Sequence, residues 1–355
     1  MTANREGCFP FAVEAPGWGG SSGGLAAGPT PAAVSLPAPP VSISCDRAGR
    51  EPEVTWTRLV DARRIRQSAR VGARDRWADW LVEGRERGLD QRQIRRMGTA
   101  LRRVRDRVLG GGRLRQGMRV VDVGAGTGLL ALDACRRVGA SGSVLAVDIS
   151  HDALTSCLQL PRPAAALNAV VADARALPLP DRCVDALVMR SVLIYVVDKA
   201  RAAGELHRVL RPGGRLSIFE PINSQYQWFA GLDLSDLEPD RSRVVDRWRA
   251  GADPGGAMLG FDERDLVAHF ADAGFDSVEL TYEVARRRAA GRRADVAAYL
   301  TIRPNPNMTS YEEAAREVLG DDADEHLIAL ATALSERPST SVQAVAFLRA
   351  RRARR

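Results

Sequence analysis

Short apolar runs alternate with amphipathic stretches between residues 113 and 221, and this alternation predicts the core of the fold. The runs are continuous, as is typical of strands that are buried on both faces of a parallel sheet. Between them, apolar residues recur three or four positions apart, which predicts helices. The predicted strands cover residues 120–123, 143–149, 168–174, 185–191 and 215–220. We therefore expect an α/β protein with a mostly parallel sheet and helices on both faces.

The segments on either side of this core follow other patterns. Residues 1–52 are rich in Gly, Pro, Ala and Ser and have no apolar periodicity, which predicts a disordered leader. Residues 53–112 are predicted to form a helical cap, because Trp and aliphatic residues recur at helical spacing among arginines. For residues 222–355 the pattern predicts a substrate loop, a helix at 262–273, a sixth strand at 277–284, a partly helical insertion at 285–338 and a last strand at 342–349.

The first predicted strand runs directly into a glycine-rich turn. Gly124, Gly126 and Gly128 alternate with small residues, and helix-forming leucines follow from Leu129 onward. A sharp turn from strand to helix favours glycine, because it often needs positive φ angles and because a ligand can then approach the backbone. The spacing is G-x-G-x-G, and Leu129 stands where the dinucleotide fingerprint G-x-G-x-x-G has its last glycine. This difference counts against NAD or FAD.

Acidic residues stand at or near the ends of three successive predicted strands. Asp122 precedes the glycines, Asp148 closes the second strand and Asp173 lies near the end of the third. A carboxylate in the position of Asp148 is suited to accept hydrogen bonds from both hydroxyls of a ribose. Together with Arg-Val-Leu-Arg-Pro-Gly-Gly-Arg-Leu at residues 208–216, these motifs resemble those of class I S-adenosylmethionine-dependent methyltransferases, and especially the ubiquinone/menaquinone-type small-molecule enzymes.

The resemblance implies a Rossmann-like sheet of seven strands with an antiparallel last strand, and S-adenosyl-L-methionine as the cofactor. It implies that the glycine turn wraps the methionine part of the cofactor and that Asp173 contacts the adenine amino group. The segment that follows the fourth strand lies beside the sulfonium in this family. The predicted cofactor contacts are therefore Asp122, Gly124, Ala125, Gly126, Gly128, Asp148, Ile149, Asp173, Ala174, Arg190 and Ser191.

Aromatic residues outside the glycine turn predict where a methyl acceptor binds. The candidates are Trp77 and Trp80 on the cap, Tyr195 after the fourth strand, and Tyr226 and Trp228 in an irregular stretch. Tyr195 is also a candidate catalytic residue, because a hydroxyl or ammonium nucleophile can need help with its proton. Glu220 ends the fifth strand, where open parallel sheets place ligands, and is the second candidate. Its alternative role is to pair with one of the many arginines.

Composition narrows the class of protein. The 355 residues carry a formal net charge of +7, but Lys199 is the only lysine and the arginines are dispersed, so we favour a small-molecule partner over nucleic acid. The cysteines are Cys8, Cys45, Cys135, Cys157 and Cys183. They show no paired metal-ligand spacing, and we expect reduced thiols, no metal and a cytoplasmic location. The sequence lacks an apolar run of membrane-spanning length and a secretory signal pattern, and we expect no membrane span.

These patterns predict an S-adenosylmethionine-dependent methyltransferase that acts on an O, N or C nucleophile of a small organic molecule. The aromatic segment and the insertion suit a natural-product intermediate. An RNA or protein methyltransferase stays open as an alternative, although residues 190–193 read Arg-Ser-Val-Leu and lack the Asp/Asn-Pro-Pro-aromatic signature. A non-methylating enzyme or a binding protein on the same scaffold stays open as well, because fold alone does not determine function.

Overall fold

A computed structural model describes residues 75–161, 165–230, 232–249, 256–289, 293–337 and 339–355. The predicted leader and residues 53–74 of the predicted cap lie outside the described residues. The strands are β1 Arg119–Val123, β2 Ser143–Asp148, β3 Ala166–Val171, β4 Val184–Arg190, β5 Leu210–Pro221, β6 Gln227–Ala230, β7 Ser277–Ala289 and β8 Ser339–Arg351.

Helices precede and connect these strands. They are α1 Arg76–Asp79 with a π-helical turn Trp80–Gly84, α2 Gln91–Gly111, α3 Ala131–Val138, α4 His151–Gln159, α5 Lys199–Val209, α6 Asp240–Arg249, α7 Glu263–Asp272, α8 Arg293–Leu300, α9 Tyr311–Leu319 and α10 Ala323–Glu336. Of these, α1 with its π-helical turn and α2 form the described part of the predicted cap, and α8 to α10 form the insertion.

The strands form one mixed sheet in the order β3-β2-β1-β4-β5-β8, and β7 pairs with the other edge of β8. Neighbours from β3 to β5 are parallel, whereas β8 runs antiparallel to both β5 and β7. The short β6 pairs with β8 beyond the end of β5, so the sheet is seven strands across. This confirms the prediction of a mostly parallel seven-stranded sheet with an antiparallel last strand.

Both faces of the sheet are covered, which explains the continuous apolar runs. Val121 and Val123 of β1 face one buried cluster, which α5 and α7 complete with residues such as Leu206 and Phe270. Val120, which directly precedes Val121, faces a second cluster that includes residues of α2, α3 and α4. Because successive side chains of a strand point to opposite faces, every position of a central strand is buried.

The element boundaries differ from the predicted ones in three places. β3 ends at Val171, earlier than expected, and β7 continues to Ala289 because it pairs with β8 along the whole length of that strand. Residues 211–214, which precede the predicted fifth strand, belong to β5. The pairing of β4 with β5 jumps from Val184–Leu210 to Ala186–Arg215, so the Pro-Gly-Gly segment forms a bulge within the strand.

The predicted helical insertion is present between β7 and β8. Its helices α9 and α10 pack with α6 around a separate apolar cluster that includes Val244, Tyr311 and Leu330. The predicted domain boundaries at residues 52, 112 and 221 stay predictions. No helix among the described residues is long and apolar enough to cross a membrane.

Candidate functional site

A cavity of about 540 Å³ opens at the carboxyl ends of the parallel strands. The chain continues from β1 to β2 on one side and from β4 to β5 on the other, and such a switch point is where open α/β sheets bind ligands. The cavity is lined by the predicted cofactor contacts Asp122, Gly124, Ala125, Gly126, Gly128, Asp148, Ile149, Asp173, Ala174, Arg190 and Ser191. The structure therefore brings together all residues that the sequence predicted to contact the cofactor.

The glycine turn needs glycine for its backbone angles and for its packing. Gly124, Gly126 and Gly128 have φ values of 69°, 51° and 93°, which side chains disfavour. A Cβ on Gly124 would overlap Val192, and one on Gly128 would come within 2.5 Å of the Cys157 sulfur. Glycine was expected here because a ligand can then approach the backbone. The structure adds a second reason, which is that side chains of the protein also pack directly against this turn.

Asp148 is positioned by the glycine turn and by the start of α4. Its Oδ2 accepts a hydrogen bond from the Gly126 amide at 2.7 Å, and its Oδ1 accepts one from the Ser150 amide at 2.9 Å. Burial raises the pKa of this carboxyl, although these amides oppose the shift. Each carboxylate oxygen can accept more than one hydrogen bond, so both can still receive a hydroxyl.

The same region holds the cap in place. Asp75 caps α1, with its Oδ1 accepting from the amides of Trp77 and Ala78 at 3.0 Å. The Ser150 hydroxyl donates to Asp75 Oδ2 at 2.8 Å, and the Asp75 amide donates to Asp152 Oδ2 at 2.8 Å. The start of the cap is thus fixed to the loop that carries Asp148.

Asp122 is fully buried, and neither of its carboxylate oxygens has a hydrogen-bonding partner among the described residues. Burial raises its pKa to about 8, and Asp148 adds to this, while the amide of Ala131 and the Arg190 guanidinium oppose it. A buried polar group without a partner is costly. An ammonium group placed in the cavity would supply the missing hydrogen bonds.

Asp173 lines the cavity but is also engaged with Arg175. Its Oδ2 is 2.7 Å from Arg175 Nη2, and its Oδ1 accepts from the Arg175 amide at 2.8 Å. The hydrogen bonds to the Arg175 side chain hold the pKa of Asp173 below its usual range. Its contact with the adenine amino group stays a prediction.

Glu220 organises the loop that follows β4. It is buried, and its two oxygens accept hydrogen bonds from the amides of Val192, Leu193 and Ile194 at 2.9 Å, 3.0 Å and 3.3 Å. Burial raises its pKa to about 7, against these three amides. Glu220 does not line the cavity, and its partners are amides where arginine was the expected alternative. Its catalytic role stays a prediction.

This loop brings Ser191 and Tyr195 to the cavity. Ser191 adopts φ of 54°, which is uncommon for a residue with a side chain and is typical of functional sites. Tyr195 packs edge-on against Trp77 with ring centroids 4.8 Å apart. Burial raises the pKa of the Tyr195 hydroxyl, so it stays a neutral phenol near neutral pH.

Trp77 and Trp80 line the same cavity as the glycine turn. The Trp80 indole Nε1–H donates to the carbonyl of Arg303 at 2.8 Å, which ties the cap to the segment before α9. The wall is completed by Tyr195, Asn223, Met258 and Pro304. The cavity thus continues from the strand ends into an aromatic and apolar chamber.

Comparisons with known proteins agree with this site. A family profile described as a methyltransferase domain matches residues 121–218. The ubiquinone/menaquinone biosynthesis C-methyltransferase UbiE of Cronobacter sakazakii is 32% identical over 175 residues, which are 46% of this chain and 69% of the relative. UbiE of Escherichia coli O139:H28 is 32% identical over 176 residues, with 47% and 69% covered.

The chain belongs to the class I S-adenosylmethionine-dependent methyltransferases.

Among solved structures, geranyl diphosphate methyltransferase in complex with its cofactor is similar at 18% identity and a TM-score of 0.43, with 79% of this chain and 96% of that chain covered. A putative methyltransferase from Bacillus halodurans is similar at 16% identity and a TM-score of 0.44, with 70% and 98% covered.

Two predicted substrate residues of the methyltransferase do not contribute described side chains to the cavity. Tyr226 is buried beside β8, with its hydroxyl 3.5 Å from Gln343 Nε2, and it is absent from the cavity wall. Trp228 lies within β6, and its side chain is outside the described part of the chain. The irregular stretch after β5 therefore supplies a short strand where a loose substrate loop was expected.

Sequence patterns missed several cavity residues of the methyltransferase. Arg85, Asn223, Met258 and Pro304 line the wall but belong to no motif. They come from four distant segments that the fold brings together. Asn223 is the one with a detectable signal, since it closely follows the predicted fifth strand, at the edge where ligands bind.

Proposed function

We propose that the methyltransferase transfers a methyl group from S-adenosylmethionine to an O, N or C nucleophile of a small organic molecule held between the cap and the insertion. The observation that carries this proposal is a single cavity that joins the glycine turn to an aromatic chamber. Its volume of about 540 Å³ lies within the range of small-molecule sites.

The residues at the strand ends fit the cofactor. Asp122, with two buried oxygens that lack partners, suits the ammonium of the methionine part. Asp148, held by the Gly126 and Ser150 amides, suits the ribose hydroxyls. Asp173 suits the adenine amino group through its remaining acceptor capacity. When bound, the cofactor supplies an electrophilic methyl group on a sulfonium, and the transfer is an in-line displacement.

The contribution of the protein to this reaction is to hold the acceptor in line and to exclude water. Glu220 accepts hydrogen bonds from the loop after β4 and so fixes the segment that carries Tyr195. Trp77 packs against the Tyr195 ring. Tyr195 is suited to orient the acceptor by a hydrogen bond, because its raised pKa keeps it neutral and unable to act as a phenolate base. No histidine among the described residues lines the cavity, so we expect an acceptor whose nucleophile needs little help from a base.

The walls favour an acceptor of moderate size with apolar or aromatic parts. Trp77, Trp80, Tyr195 and Met258 supply such surfaces, which suits an intermediate of secondary metabolism. An RNA or protein acceptor would have to present one base or side chain to the same chamber. The cytoplasmic location stays a prediction, supported by the buried free thiols of Cys135, Cys157 and Cys183.

The test is acceptor discovery with a deuteromethyl donor. Pools of small organic molecules, total RNA and protein extract are incubated separately with the enzyme and the donor, and products that carry the deuteromethyl mass are identified. We expect labelled product in a small-molecule pool and its loss in Asp122→Asn. Label confined to RNA or protein would contradict the small-molecule acceptor. Failure to bind the donor in calorimetry would contradict the whole proposal.

A further inference from the structure

Asn223 stands on the cavity wall just beyond the end of β5. It begins a 3₁₀ turn, Asn223–Gln225, one residue after the strand. The residue is 2% exposed and lines the cavity, and its Oδ1 is buried without a hydrogen-bonding partner among the described residues. A buried amide oxygen in this state costs free energy until a donor reaches it. The cavity is the route by which a ligand can bring one.

The backbone that carries this amide is held on both sides. The Ile222 amide donates to the carbonyl of Ala344 at 2.9 Å, which joins the end of β5 to β8. The Tyr226 amide donates to the carbonyl of Asn223 at 3.1 Å and closes the turn. A polar side chain on a fixed backbone is ready to bind a ligand without first being ordered, which favours selective recognition.

The topology of the sheet places Asn223 on the side proposed for the methyl acceptor. The glycine turn follows β1, and β4 lies between β1 and β5. Because β4 and β5 are parallel, the segments that follow them leave the sheet at the same edge. Tyr195 belongs to the first of these segments and Asn223 to the second, and both line the cavity. Asn223 is therefore one strand further from the glycine turn than Tyr195.

The wall around Asn223 limits the chemistry of the ligand. An amide oxygen accepts hydrogen bonds, so the ligand has to present an O–H or N–H group. Two guanidinium groups, those of Arg85 and Arg190, line the same cavity and disfavour a cationic donor. Trp77 and Tyr195 add aromatic surface. The best match is a neutral donor on a molecule that also has apolar parts.

We propose that Asn223 selects a methyl acceptor that carries a neutral O–H or N–H group, by accepting a hydrogen bond from that group through Oδ1. This deepens the proposed function and rests on it. The bond fixes one end of the acceptor while the aromatic wall holds the rest, so that the nucleophile is presented in one orientation. A molecule without the donor leaves the amide oxygen unpaired and is bound more weakly.

The chain offers a matched control for this residue. Asn307 also has a buried Oδ1 without a partner among the described residues, but it does not line the cavity. Leucine is close to asparagine in size and has no polar side-chain atoms. Asn223→Leu and Asn307→Leu therefore remove the same kind of group, once from the cavity wall and once from a place away from it.

The first arm of the experiment separates ligand recognition from structural and cofactor roles. Asn223→Leu should melt at or above the wild-type temperature without ligand, because it removes an unpaired buried amide. Its affinity for S-adenosylhomocysteine, measured by calorimetry, should stay within about twofold of wild type. A lower melting temperature would show a structural role, and an affinity lower by about tenfold would assign the amide to the cofactor. Either result overturns the proposal.

The second arm uses enzyme saturated with S-adenosylhomocysteine and measures the dissociation constants of benzyl alcohol and benzyl methyl ether by NMR titration. These probes differ only in that the alcohol has an O–H where the ether has an O–CH₃. The ratio of alcohol affinity to ether affinity should fall about 2- to 10-fold in Asn223→Leu. Asn223→Asp keeps an acceptor oxygen at this place and should keep the wild-type ratio or exceed it. Asn307→Leu should match wild type.

The proposal is overturned if wild type binds neither probe, if Asn223→Leu keeps the wild-type ratio, or if Asn307→Leu lowers it equally. It is also overturned if Asn223→Asp loses the preference for the alcohol, because recognition would then run through the amide nitrogen. Where Asn223→Leu does not fold, Asn223→Ala replaces it with the same expected fall in the ratio. A wild type that does not bind S-adenosylhomocysteine contradicts the proposed function instead.

Discussion

The two halves of the cavity are built in different ways. The half proposed for the cofactor comes from strand ends and turns between Asp122 and Ala174; backbone amides satisfy Asp148 there, whereas both carboxylate oxygens of Asp122 lack a partner among the described residues. The half proposed for the acceptor is assembled from the cap, the loop after β4 and the segment before α9. It also contains polar atoms that lack partners among the described residues, at Arg85 and Asn223.

The difference reflects what each half has to recognise. A cofactor common to a family is bound by a short, contiguous motif whose backbone fixes its own geometry. An acceptor is specific to one enzyme, so its contacts come from segments that vary independently of the motif. We therefore expect changes in the glycine turn and at Asp148 to affect folding and cofactor binding together, and changes in the aromatic wall of the second half to leave both largely intact.

The largest effect is expected from Gly124→Ala. The residue has φ of 69°, and a Cβ there would overlap Val192. The strained angle and the forced repacking together are expected to cost about 2–5 kcal/mol of unfolding free energy and to abolish cofactor binding. Denaturant titration and calorimetry measure both. Gly110→Ala in α2 is the control, since a Cβ added there would meet no neighbouring atom within 4 Å. This variant should gain about 0.5–1 kcal/mol of unfolding free energy. Equal stability of the two variants would contradict the packing account.

Asp148→Ala should weaken the binding of S-adenosylhomocysteine by about 10- to 1,000-fold, because charge-assisted bonds to the ribose are lost. The carboxylate also accepts from the Gly126 and Ser150 amides, so removing it leaves these donors unmatched. We therefore expect a further loss of about 1–3 kcal/mol in unfolding free energy. Asp148→Asn keeps one acceptor and should recover part of both losses. An Ala variant that binds as wild type would remove Asp148 from the ribose site.

Asp122→Asn separates stability from binding. The pKa of Asp122 in the folded protein is about 8, above the unfolded value of about 3.9. The ionised carboxylate therefore lowers the free energy of unfolding, and this loss grows as the pH rises from 4 to 8. The Asn variant should therefore melt at higher temperature than wild type at pH 8 without ligand. It should bind S-adenosylhomocysteine about 10- to 100-fold more weakly.

The pH dependence of binding checks the same residue. The ammonium needs an ionised Asp122, so wild-type affinity should rise about tenfold per unit from pH 6 to 8, while the variant should show no such rise. A flat wild-type profile over this range would show that Asp122 is ionised well below pH 8, or that it does not contact the ligand.

The sequence predicted the cofactor half well because its signals are local. A glycine pattern, an apolar run and an acidic residue at each strand end lie within short windows, and the structure places all of these residues on one cavity. Glu220 shows the limit of such reasoning. Its position at a strand end was read correctly, but its role depends on the amides of Val192, Leu193 and Ile194, which approach it only after the loop folds back.

The acceptor half could be predicted only in part. Trp77 and Trp80 were identified because large aromatic residues stand out on an arginine-rich cap. Tyr226 is buried beside β8 and away from the cavity wall, because an aromatic residue in an irregular stretch suits a core position as well as a substrate loop. Arg85 resembles every other arginine of a chain with net charge +7, and only three-dimensional contacts show that its buried Nε lacks a partner among the described residues.

The smallest effect is expected from Trp80→Phe, which tests whether the acceptor half can change alone. The variant keeps an aromatic ring on the cavity wall but loses the hydrogen bond from the indole to the Arg303 carbonyl. That bond is worth about 0.5–1.5 kcal/mol and joins the cap to the insertion, so residues 76–84 should exchange their amide hydrogens several-fold faster. Affinity for S-adenosylhomocysteine should stay within about twofold. Trp248→Phe is the control, since it removes a similar bond to the Thr309 carbonyl away from the cavity, and it should leave exchange in the cap unchanged. A tenfold loss of cofactor affinity in Trp80→Phe would mean that the two halves are coupled through the cap, because no cofactor contact is removed by the substitution itself.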